Sequence, residues 1–199
     1  MVSMIRKGVI QNRVYDIEKY LDIVSPNRIY LDVDGVLFHS CQAIIDVCNK
    51  SYGYNCKLTG KDILNWNFKE IDDFDDTVIE YLFSCNSFFK NVKWVDGALE
   101  FINRHYYDVT IVTKGNCQNV YNKMRFFLKN GIDVPVCGLP LSSSKRAINM
   151  DGGLLIDDCT QNLMESNASY RIQFLEYDDG NNDIREWTKN WNGLKMYRW

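Results

Sequence analysis

The chain is 199 residues long, 46% hydrophobic and 25% charged, with a formal net charge of −3, enough apolar material for one full core with room for a small inserted subdomain. That acidic balance provides no field for holding a long nucleic acid, although a local basic pocket could still take a small anion. The first residues, MVSMIRKGVIQNR, lack the apolar stretch of a signal peptide and no run of about 18 apolar residues follows, so no membrane association is expected.

In chain order, Val14, Ile17, Tyr20, Leu21 and Val24 recur at helical spacing and predict a helix over 11–24 within an N-terminal helical extension, residues 1–27. Ser25-Pro26-Asn27 ends it, because Pro26 biases Ser25 away from the α region. A buried strand follows at 28–33, then a helix at 41–52 through Ile44, Ile45, Val47 and Cys48, then short helices rich in aromatics and acids over 60–90. From Trp94 the pattern changes to alternation: helix 97–106, strand 109–112, helix 117–129, strand 134–138, a helix near 145–149, strand 154–156, helix 160–166 and strand 171–175. The tail YDDGNNDIREW reads as a turn and a helix capped by Asp183 and Glu186.

Strands alternating with helices imply right-handed crossovers and an α/β fold with a Rossmann-like parallel sheet. The roughly 60 residues between the first strand and the next β-α unit exceed what a crossover needs. A small helical cap is therefore expected at 38–93, inserted after the first strand of a core formed by 28–37 and 94–199. Seven cysteines, an odd number with no CxxC pair, point to reduced thiols and a cytoplasmic setting.

The stretch RIYLDVDGVLFHS ends its apolar run on Asp32 and Asp34, followed by Gly35. Three later predicted strand or loop ends add Thr113 with Lys114 and Gly115, then Lys145, then Asp157 with Asp158. Ligands of open α/β sheets bind beyond the carboxyl ends of the strands, where these residues fall. Four carboxylates there would repel without a counter-ion, and hard oxygens suit Mg²⁺; with only two histidines a histidine-rich zinc site is not expected.

These four motifs, in this order, resemble those of the haloacid dehalogenase superfamily in its phosphatase branch. The segments KDILNWNF, FFKNVKWVDGALEFI, DVTIVT and LLIDD are further similar to the 5′(3′)-deoxyribonucleotidases. The resemblance implies a Mg²⁺-dependent phosphomonoester hydrolase in which Asp32 is the nucleophile and Asp34 the acid and then base. It also implies that Thr113 binds a phosphoryl oxygen, that Lys145 neutralises Asp32 and the transferring group, and that Gly35, Lys114 and Gly115 lie at the phosphate. Mg²⁺ would be held by Asp32, the Asp34 carbonyl and the pair Asp157 and Asp158. The substrate would be a small phosphorylated molecule, a nucleoside monophosphate first, whose base could stack on Trp66 or Phe68 in the cap.

Each residue also has a plainer reading. Asp32 and Asp34 could form an Asx-turn, Asp157 and Asp158 could cap the helix from 160, Thr113 could cap a helix, and Lys114 and Lys145 could be solvated. Trp66, Phe68, Phe88 and Phe89 could be the cap's own core. A phosphatase of another small ester, such as a sugar phosphate or a polynucleotide end, and a silent binding module on the same fold remain as alternatives.

Overall fold

In the computed structural model, residues 17–53, 57–63, 68 and 76–174 are described. Five strands form one parallel sheet: β1 (Ile29–Leu31), β2 (Val109–Lys114), β3 (Val136–Leu139), β4 (Leu154–Asp157) and β5 (Tyr170–Gln173), in the order β3-β2-β1-β4-β5. Leu31 pairs with Ile111 on one side and Ile156 on the other, so Asp32, Val112 and Asp157 lie level at the same rim. The expected α/β architecture with a parallel sheet is present.

Alternation along the strands builds two cores. Ile29, Leu31, Val109, Ile111, Leu154 and Ile156 face the larger one, while Val112 and Leu155 face a smaller one with Met150, Leu163 and Ala168. Helix α1 (Ile17–Val24) buries Ile17, Tyr20 and Leu21 in the larger core. It is therefore integrated with the α/β body, and the rest of the expected helix, 11–16, lies outside the described residues. Ser25 does leave the right-handed α region before Pro26, but by way of the left-handed one, φ 42°.

After β1 the chain makes a tight loop in which the amides of Leu37 and Phe38 both donate to the Val33 carbonyl. Gly35 sits there at φ 73°, which side chains other than glycine rarely adopt. Helix α2 (Ser40–Tyr52) then begins the insert, which continues through α3 (Asp76–Ser84) and α4 (Asn86–Asn91). The chain leaves and returns through one paired stem: Phe38 bridges Trp94, and the His39 amide donates to the Lys93 carbonyl at 3.0 Å. Helix α5 (Ala98–Arg104) leads into β2.

Helix α6 (Cys117–Lys129) holds the insert down. Its Asn119 and Asn122 donate to the Phe83 and Ser84 carbonyls at the end of α3, at 2.7 and 2.8 Å, and its Phe126 and Phe127 stack against Phe38 and Trp94 at the stem. The expected helix near 145–149 is instead a single 3₁₀ turn, Lys145–Ala147. Ser144 caps that turn through the Arg146 amide, and Ile148 is already extended, which frees the chain to run toward β4. Helix α7 (Thr160–Glu165) closes the described part with β5. The predicted tail helix lies outside the described residues.

Candidate active site

The carboxyl rim of the sheet gathers Asp32, Asp157 and Asp158, whose carboxylate oxygens lie within 4.8 Å of one another. Register explains the gathering: Asp32 directly follows β1, Asp157 ends β4 beside it, and the Asp32 amide donates to the Ile156 carbonyl at 2.9 Å. The Lys145 ammonium, completely buried, distributes its three protons to Asp32 Oδ1, to Asp157 Oδ2 at 2.5 Å and to the Val112 carbonyl at 3.0 Å. The 3₁₀ turn positions this side chain beneath the acids.

Burial raises the Asp32 carboxyl to about 6; the Lys145 charge pulls the other way, and the Asp157 and Asp34 carboxylates add to the rise. Lys145 also shifts upward. Burial works against its charge, but Asp32 and Asp157 overcome that and hold it above the ordinary lysine value. The ion pair thus keeps its cation firmly charged, while the surplus of negative groups falls on the acids. Asp157 is further fixed by the Cys159 amide and the Asn162 side chain, both on Oδ1. Gln173 anchors the Asp158 backbone by donating to its carbonyl at 3.1 Å.

Asp34 is held by both oxygens. Ser40, at the first turn of α2, donates to Oδ1 at 2.7 Å, and Lys123 on α6 donates to Oδ2. Lys123 also donates to Thr113 Oγ1 at 2.8 Å, and both it and Thr113 are buried. Two buried ammonium groups pair with Asp34, Asp32 and Asp157, and the clustered acids remain a set of hard oxygens around which a divalent cation would reduce the repulsion. The donor set of hard oxygens fits Mg²⁺.

The structure brings together Asp32, Asp34, Thr113, Lys145, Asp157 and Asp158. It treats the remaining expected residues differently. Gly115 spends its amide on the Leu139 carbonyl at 2.9 Å, and a side chain there would overlap Asn119; close packing, not an amide offered to phosphate, accounts for this glycine. Lys114 lines a neighbouring cavity of about 660 Å³ with Ser142, Ser143, Ser144 and Arg146. Phe68 is only 5% exposed and meets Phe83 edge-on with centroids 6.1 Å apart, so in this structure its ring is part of the insert's core rather than a stacking face. Trp66 lies outside the described residues.

Sequence reasoning missed Lys123 and Ser40. Lys123 had a signal: Val120, Lys123 and Phe127 share one stripe of α6, so a lysine there interrupts an inward-facing row. Ser40 had none, since a serine beginning a helix needs no further explanation.

A parallel sheet with this rim of acids, a threonine and a lysine defines a phosphatase of the haloacid dehalogenase superfamily. More narrowly, a family model described as 5′ nucleotidase, deoxy (Pyrimidine), cytosolic type C protein matches residues 26–196, and the chain belongs to that family. No curated protein matches it. Among solved structures, a haloacid dehalogenase-like hydrolase from Streptococcus pneumoniae is similar in fold, with 7% identity, 76% of this chain and 86% of that one covered, and a TM-score of 0.53. CbbY from Rhodobacter sphaeroides, solved in complex with phosphate, is 11% identical over 84% of this chain and 95% of its own, with a TM-score of 0.52.

Proposed function

We propose that this enzyme hydrolyses a nucleoside monophosphate by way of an aspartyl-phosphate on Asp32, with Mg²⁺ as cofactor. The observation that carries the reading is the pairing of Asp32 with Lys145 beside Asp157: Lys145 occupies Oδ1, which orients the carboxylate with Oδ2 for in-line attack on phosphorus. The bond from Oδ2 to phosphorus forms as the ester P–O bond breaks, and Asp34, which enters this step in its protonated form, gives that proton to the departing alkoxide. Asp34 then takes a proton from water, whose oxygen attacks the same phosphorus; phosphate leaves and Asp32 is restored. Thr113 donates to a phosphoryl oxygen, and Lys145 balances the charge gathering at Asp32.

Asp32, the Asp34 carbonyl and the Asp157/Asp158 pair would hold the metal. When bound, Mg²⁺ supplies positive charge against the phosphoryl oxygens. In this reading residues 38–93 form the cap over a core of 28–37 and 94–199, and the nucleoside lies between them, away from the buried ring of Phe68. The reading takes the setting as cytoplasmic; the six described cysteines form no disulfide, and no helix among the described residues is long and apolar enough to cross a membrane.

The test is a screen of deoxynucleoside and ribonucleoside monophosphates beside sugar phosphates, run on the wild type and on Asp32→Asn. The reading expects phosphate release from a nucleotide first, covalent label trapped on the wild type by acid quench, and neither in the variant. Preference for a sugar phosphate would move the substrate; normal turnover by Asp32→Asn would remove the nucleophile.

A further inference from the structure

We propose that Lys123 is a positioning residue that sets two groups of the reaction at once, the Asp34 carboxyl and the Thr113 hydroxyl. The inference rests on the hydrolase reading above and names a residue outside its motifs. Lys123 is completely buried, an unusual place for a lysine, and its ammonium bridges Asp34 Oδ2 and Thr113 Oγ1. An ammonium can only donate. By donating to Thr113 Oγ1 it takes an acceptor position of that oxygen, so the threonine's own proton is left for another acceptor, here a phosphoryl oxygen. By donating to Asp34 Oδ2 while Ser40 donates to Oδ1, it fixes the carboxyl group in one orientation between α2 and α6. The two groups come from different strand ends, after β1 and within β2, and one side chain spans them.

Two consequences separate. Loss of the bond to Thr113 weakens the hold on every phosphate ester. Loss of the bond to Asp34 matters only where the leaving group needs a proton, because a nitrophenolate departs without one. The experiment compares a deoxynucleoside monophosphate with 2,4-dinitrophenyl phosphate on the purified wild type and on Lys123→Met. The expected result is a fall in kcat of about 100-fold or more on the nucleotide, the scale of proton-transfer catalysis, against less than about tenfold on the aryl ester. KM should rise for both.

Lys123→Gln, which keeps an uncharged amide donor in a similar volume, covers the case in which the methionine variant does not fold, and its kcat on the nucleotide should fall below the wild type by more than on the aryl ester. Equal loss of kcat on both esters, or no loss on either, overturns the inference while leaving the hydrolase reading intact. A wild type that hydrolyses neither ester overturns that reading, and this inference with it.

Discussion

Lys145 and Asp157 meet at 2.5 Å with both side chains wholly removed from solvent, and the same ammonium reaches Asp32. One cation thus ties the end of β4 to the residue following β1. A buried pair of this kind is weak evidence of net stabilisation, because both charges have lost their water, but breaking it is costly.

Removing that cation should therefore be felt in the fold as well as in the chemistry. Lys145→Met leaves Asp32 and Asp157 buried together with no counter-charge, and is expected to lower the unfolding free energy by about 3 to 5 kcal/mol and to abolish turnover. Urea denaturation beside a phosphate-release assay checks both. A variant as stable as the wild type would mean that the acids find other compensation.

The pH dependence runs against the usual behaviour of a paired carboxylate. Asp32 is raised from 3.8 to about 6, chiefly by burial, so between pH 4 and 6 the unfolded chain sheds this proton while the folded one retains it. The unfolded state then binds fewer protons, and stability contributed by this group falls as pH rises through that window, by about 3 kcal/mol for the metal-free protein. Asp32→Asn lacks the titration. In EDTA, the difference in unfolding free energy between variant and wild type should move in favour of the variant by roughly that amount from pH 4 to pH 7; parallel pH profiles would contradict the assignment. Lys145, shifted upward, adds nothing in this window and loses its contribution only at alkaline pH above the ordinary lysine value.

Metal should act on stability even without substrate. Asp32, Asp157 and Asp158 crowd their oxygens together, so Mg²⁺ added to EDTA-treated protein should raise the melting temperature, with about 2.7 kcal/mol gained when Mg²⁺ is at a hundred times its Kd. Asp158→Asn should lose most of that shift. EDTA should abolish activity and Mg²⁺ restore it, whereas Ca²⁺, with larger and looser coordination, should inhibit. Full turnover in EDTA would remove the metal from the reaction.

Gly115 offers a test far from charge chemistry. In Gly115→Ala the new methyl group overlaps Asn119, whose amide holds the Phe83 carbonyl at the end of α3. Overpacking of this kind costs about 1 to 3 kcal/mol, and a displaced Asn119 unhooks the insert from α6. Limited proteolysis should cut the insert faster in the variant than in the wild type; an unchanged cleavage rate would show that Asn119 can move aside without releasing α3.

The parallel sheet was legible because strands and helices alternate from Trp94 onward with clear periodicity, and α6 was bounded at Cys117 and Lys129 as expected. The acids were legible because each ends an apolar run, which ordinary turns do not require. Lys123 was not, since its role depends on a crossover that brings the second turn of a helix under a loop 89 residues earlier. The place of Gly115 was hidden for a related reason: a glycine shortly after a threonine at a strand end suggests an offered amide, and only the neighbouring β3 strand reveals that the amide is taken. The single turn at Lys145 is not legible in the sequence, because it is the Ser144 cap and the extended Ile148 that stop Lys145–Ala147 from continuing as a helix.

The stem of the insert has a consequence for how such a chain can change. Because His39 and Lys93 are joined by one backbone hydrogen bond, the core's two attachment points are already neighbours, and the described residues between them contribute no strand to the sheet. Everything from α2 to α4 could be lengthened, shortened or exchanged for another helical segment with the five strands keeping their register. Among the described residues the obligations are toward Ser40, which any replacement must supply again for Asp34, and toward acceptors for the buried Asn119 and Asn122 amides of α6. The insert could thus be exchanged as a cassette while the sheet and its rim of acids are inherited intact.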